Sequence, residues 1–133
     1  MNLGVFHHIG IACESIESEA QSYTPLGYTQ VGPVFTDSNQ GVRGLFLEGE
    51  GPRLELVENL PGSSMLNAFL KNGPSMYHTA YWLHTPMTMD QICVELSATI
   101  LRDVTYSEFF KCSIGFVMLP NEQIVELIDV RSS

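Results

Sequence analysis

Apolar and polar residues alternate along this chain with two different periods, and the order in which the periods change is itself repeated. Residues 4–13 alternate loosely, with the period of a strand. At Glu14-Ser15 the pattern turns helical and carries Ile16, Ala20 and Tyr23 on one side. Pro25 and Gly27 end that helix. Three strand-like runs follow at 28–35, 42–48 and 53–58, separated by the turn compositions Asp37-Ser38-Asn39-Gln40-Gly41 and Gly49-Glu50-Gly51-Pro52. Pro61-Gly62-Ser63-Ser64 reads as a linker, and 65–70 as a short apolar helix closed by Asn72-Gly73. The succession then starts again, with a strand at 75–84, a helix at 90–99 and strands at 101–109, 113–119 and 123–130. The pattern predicts β-α-β-β-β written twice. The chain 1–133 is then a single domain, with modules of about 1–60 and 74–133 joined by a short linker helix.

The repeat is visible in letters. Gly44-Leu45-Phe46-Leu47-Glu48 lines up with Gly115-Phe116-Val117-Met118-Leu119, which places Glu55 on Glu126; at the opening strands, His8 falls on His78. Residues two apart in a strand share a face, so His8 is expected to look the same way as Phe6 and Gly10, and His78 the same way as Ala80 and Trp82. Glu55 opposes Leu54 and Leu56, and Glu126 opposes Val125 and Leu127. This alternation predicts one face packed on helices and the other turned into a cavity walled by Phe6, Trp82, Phe116 and Met118. A lone carboxylate buried there would be costly, whereas a divalent cation offsets its desolvation. Two imidazoles, His8 and His78, with two carboxylates, Glu55 and Glu126, make a borderline-to-hard ligand set suited to Zn, Ni, Co, Fe(II) or Mn. No local spacing motif links the four; the metal reading rests on the repeat.

Composition narrows the field. At 44% hydrophobic and 16% charged residues, with mean hydropathy +0.08, the 133 residues describe a globular chain able to bury a core. Six Lys+Arg against fifteen Asp+Glu give a formal charge of −9, which removes the phosphate attraction behind most nucleic-acid binding and repels an anionic membrane. The N-terminus lacks the basic and apolar regions of a signal peptide, and no run is long enough to span a bilayer, so a cytoplasmic location is expected. Cys13, Cys93 and Cys112 have no metal or redox spacing and read as reduced thiols.

Four segments carry a resemblance: Phe6-His7-His8-Ile9-Gly10-Ile11-Ala12, Arg53-Leu54-Glu55-Leu56-Val57-Glu58, Tyr77-His78-Thr79-Ala80 and Ile124-Val125-Glu126-Leu127-Ile128-Asp129. They resemble the signature strands of the vicinal oxygen chelate superfamily, nearest to glyoxalase I and methylmalonyl-CoA epimerase. The resemblance implies paired βαβββ modules forming a curved mixed sheet around a metal-binding cavity, with His8, Glu55, His78 and Glu126 as ligands. It implies a divalent-metal-dependent isomerase or lyase that abstracts a proton next to a carbonyl through a metal-bound enediolate or enolate. Glu126 would be the base and Glu55 the partner that returns a proton to the same or the neighbouring carbon. Glutamate at the second ligand position is closer to glyoxalase I, since epimerases often carry glutamine there. The further acid that some epimerases place on the third strand falls near Gly44. A small carbonyl compound or thioester is the implied substrate, and a homodimer the implied assembly.

Competing readings are weighed on the same residues. An extradiol dioxygenase or a thiol transferase of the fosfomycin-resistance type would use three protein ligands, and Glu55 makes a fourth. A drug-binding module of the bleomycin-resistance kind would need no metal at all. His7 is expected on the face opposite His8, Glu58 and Asp129 are expected to be solvated, and the short list of cations disfavours a heavily phosphorylated ligand.

Overall fold

In the computed structural model, residues 2–132 are described. The chain forms two compact units, one of His8–Tyr77 and one of Met1–His7 with His78–Ser133. The first strand, β1 (Gly4–Ala12), begins in one and ends in the other. The fold is α+β with the βαβββ order present twice.

The His8–Tyr77 unit contains α1 (Ile16–Tyr23), β2 (Thr29–Asp37), β3 (Val42–Glu48) and β4 (Leu54–Asn59), with strand order β2-β3-β4-β1. β1 runs parallel to β4; the other pairs are antiparallel. α1 starts where Ser15 accepts a hydrogen bond from the Ser18 N–H through its side chain, and the Glu58 carboxylate accepts from the Ile16 N–H at 2.7 Å. Glu58 also pairs with Arg43 at 2.9 Å. Expected to be solvated, it instead ties β4 to the helix start, because the orphan N–H groups there need an acceptor. A 3-10 turn, Thr24–Leu26, and Gly27 at φ 93° end the helix. On the helix side of the sheet, Ile11, Leu45, Leu47, Leu54 and Leu56 pack with Ile16 and Tyr28. On the other side Ala12, Val42 and Val57 are covered by Leu66, Phe69 and Leu70.

That covering segment, expected as a helix over 65–70, holds only the 3-10 turn Asn67–Phe69. Six residues are too few to offset helix nucleation. Asn59 takes the Leu66 N–H with its side-chain oxygen and donates to the Asn67 side chain, so local partners satisfy the groups that a helix would have used.

The other unit contains most of β5 (Ser75–Leu83), then α2 (Met89–Leu96), β6 (Thr99–Ser107), β7 (Cys112–Met118) and β8 (Ile124–Ile128), ordered β5-β8-β7-β6, with β5 parallel to β8. The opening of β1 lies beside β5, the Leu3 carbonyl accepting the His84 N–H at 2.9 Å. Thr88 and Gln91 form a reciprocal capping box on α2. α2 ends at Leu96, three residues short of the end expected at Thr99, with Ser97 in the left-handed region at φ 53°, because Thr99 and Ile100 pair with Met118 and Val117 in the sheet. Leu83, Met89, Ile92, Val117, Val125 and Leu127 form the core between α2 and the sheet. Among the described residues no helix is long and apolar enough to cross a membrane.

Candidate metal centre

Parallel pairing of β1 with β4 sets Gly10 directly opposite Glu55, and His8 precedes Gly10 by two residues on the same face. A residue without a side chain opposite the glutamate leaves room for its carboxylate to lean back along β1. The result is a contact of 3.0 Å between His8 Nε2 and Glu55 Oε1, with the histidine fully buried. The other unit repeats the arrangement. Ala80 lies opposite Glu126, His78 precedes it by two residues, and His78 Nε2 lies 3.2 Å from Glu126 Oε1. His78 and Glu126 are both buried.

Each pair is backed by a phenylalanine. Phe46 lies directly across from Glu55 on β3 and meets the His8 ring edge-on at 5.1 Å; Phe116 lies across from Glu126 on β7 and meets the His78 ring edge-on at 5.5 Å. Phe46 was not singled out in the sequence, and the reason is a shift of register. The letter alignment set Gly44 on Gly115 and Phe46 on Val117, but strand pairing makes Phe46 the equivalent of Phe116. Phe46 precedes Glu55 by nine residues and Phe116 precedes Glu126 by ten, so the second hairpin is one residue longer. Gly44 and Gly115 therefore face opposite ways: a Cβ on Gly44 would meet the Phe35 ring, and one on Gly115 the Met89 sulfur against α2. The space above Gly44 is filled by Phe35, which stacks on Phe46.

The expected cavity residues divide. Phe116 is buried beside His78, while Trp82 and Met118 are partly exposed, opposite Ile128 and Ile124 on the Glu126 face of β8. Phe6 departs from expectation. Its ring meets Tyr81 edge-on, and Tyr81 alternates with Trp82 along β5; His7, expected on the other face, lies beside Trp82 and packs edge-on against Phe110. Simple alternation does not hold through the N-terminal half of β1.

Imidazole nitrogens and carboxylate oxygens about 3 Å apart fit adjacent ligands of one ion with bonds of about 2.0–2.2 Å, so each pair suits a divalent transition metal. The thiols do not compete for that role. Cys13 is buried and donates to the Val57 carbonyl; burial, with Glu19 and Glu58 nearby, pushes it up to about 12. Burial raises Cys93 and Cys112 as well. Of the basic residues, Arg43 is tied to Glu58 and Arg53 to Glu48.

The family model described as Glyoxalase/Bleomycin resistance protein/Dioxygenase superfamily matches residues 7–99, more than half of the chain. No curated protein matches the sequence. Among solved structures the chain is similar to methylmalonyl-CoA epimerase from Mycobacterium tuberculosis, at 20% identity and TM-score 0.73, over 98% of this chain and 90% of that one. It is similar to a hypothetical protein from Bacillus halodurans, at 21% identity and TM-score 0.72, over 96% and 95% of the two chains. A Streptomyces coelicolor methylmalonyl-CoA epimerase in complex with 2-nitronate-propionyl-CoA matches at 21% identity and TM-score 0.69, over 98% and 100%. At these identities the structures speak for the fold alone, and the family match carries the assignment: the chain belongs to the Glyoxalase/Bleomycin resistance protein/Dioxygenase superfamily.

Proposed function

We propose that His8, Glu55, His78 and Glu126 together hold one divalent cation and that the protein is a metal-dependent isomerase or lyase of glyoxalase or epimerase type, acting on a small carbonyl compound or thioester. The observation that carries the reading is the duplication of a buried histidine-glutamate pair at equivalent strand positions, each with its own phenylalanine behind it. The four residues make up a group of metal-binding composition, which supports a shared ion. Zn, Ni, Co, Fe(II) and Mn all suit such donors.

When bound, the cation would supply a positive centre that makes a carbon acid next to a chelated carbonyl more acidic. The chain supplies the proton transfer. Glu126, ionised, takes the proton from carbon and becomes neutral; Glu55, carrying a proton of its own at that point, delivers that proton to the same or the neighbouring carbon and becomes ionised. Phe46 and Phe116 stand across the strands from the two carboxylates and pack edge-on against their histidines, which holds the proton-transferring groups in place. With Arg43 and Arg53 already paired to carboxylates and a net charge of −9, the chain favours substrates with few phosphates, such as a thiol adduct of a small dicarbonyl, over coenzyme A esters.

The test is solvent deuterium exchange at the acidic carbon, run with metal-loaded protein on the glutathione adduct of methylglyoxal and on methylmalonyl-CoA. Exchange into either supports proton-transfer chemistry, and the preferred substrate separates lyase from epimerase. Ligand binding that persists without metal and without exchange would favour a sequestering module of the same family.

A further inference from the structure

We infer that the unit of Met1–His7 and His78–Ser133 carries a second small-molecule site, on the α2 side of its sheet, for a neutral and largely apolar ligand of about two fused rings. A cavity of about 480 Å³ lies there, walled by Tyr81, Leu96, Leu119, Val125 and Leu127. That volume is in the range of pockets that hold small organic molecules, about 300–1,000 Å³, and such pockets are likewise apolar with a few polar groups to orient the ligand. Here Thr79 and Gln123 provide those groups.

The site is separate from the metal centre. Thr79 and Tyr81 alternate along β5 with His78 and Ala80, and Val125 and Leu127 flank Glu126 on β8, so the cavity opens on the face opposite the histidine-glutamate pair. It does not depend on the proposed function. Ligand charge follows from the lining. Glu95 supplies the one carboxylate, and no Lys or Arg is among the described lining residues. An anion would meet repulsion from Glu95 and from the net charge of −9; a cation would lose hydration against the apolar walls.

The experiment is an amide chemical-shift titration of the full chain with 2-naphthol and, separately, with 2-naphthoate. The expected result is saturable shifts from 2-naphthol centred on Thr79, Tyr81, Leu96 and Val125, with naphthoate binding at least tenfold more weakly and Glu95→Gln narrowing that gap. Leu119→Trp should fill the cavity and weaken 2-naphthol at least tenfold; if that variant does not fold, Thr79→Phe at the cavity wall serves the same purpose. The inference is overturned if 2-naphthol produces no saturable shifts, if the shifts centre elsewhere, or if a folded filling variant binds unchanged. It is equally overturned if the cavity amides respond to protein concentration and not to 2-naphthol, which would assign the surface to a second copy of the chain.

Discussion

Glu126 and Glu55 differ in company more than in chemistry: both are backed by a phenylalanine and both reach a histidine Nε2, but Glu126 is the more deeply buried. The proposed division of labour predicts that Glu126→Gln lowers the rate of deuterium exchange by about 10²–10⁴-fold while circular dichroism stays native. Phe46→Ala and Phe116→Ala test the backing role. Each should cost about 3–5 kcal/mol in denaturant unfolding and weaken metal binding by about tenfold, because the imidazole loses the ring that fixes its orientation. Cys13 gives a pH prediction. Its thiol is pushed up to about 12 by burial, so the folded state keeps a proton that the unfolded thiol releases near its ordinary value of 9.0. Stability attributable to this group is complete below pH 9 and is lost as pH rises toward 12. Tyr23, raised from 10.0 to about 12 by burial and by its hydrogen bond to Glu19, adds to the same decline. Urea midpoints measured from pH 8 to 11 should fall, and Cys13→Ala should flatten that fall.

At the level of elements, the order and kind of nearly every strand could be read from hydrophobic alternation, because in each unit the strands pack one face on a helix and period two survives through most of them. What periodicity missed lies where other forces decide. The 65–70 segment has helical spacing, yet Asn59 claims its backbone from a neighbouring strand. The N-terminal half of β1 breaks alternation, so Phe6 faces Tyr81 and His7 lies beside Trp82. Glu58 looked like a surface residue because an ion pair with Arg43 and a helix-start hydrogen bond leave no local trace. Its role predicts that Glu58→Ala destabilises the fold by about 1–3 kcal/mol, seen as a lower urea midpoint, through loss of a charge-assisted bond to the first turn of α1.

Across the whole molecule, the duplication is what made the candidate ligands legible. A histidine or a glutamate alone in a strand says little, but His8 with Glu55 and His78 with Glu126 recur at matching places, and each pair is in contact in its own unit. The one-residue difference between the two hairpins was hidden because aligned letters can match on opposite faces of a strand, and only hydrogen-bonded register reveals which residues share one. Substrate identity was not legible, since it depends on the conformation of loops that no periodicity positions. The central claim is that the two pairs serve one ion. Metal content of protein purified without chelator, measured by elemental analysis for the native chain, His8→Ala and His78→Ala, tests it most directly. The account predicts one divalent transition-metal ion per native chain and its loss in both variants; a native chain without metal, or either variant retaining a full equivalent, would contradict it.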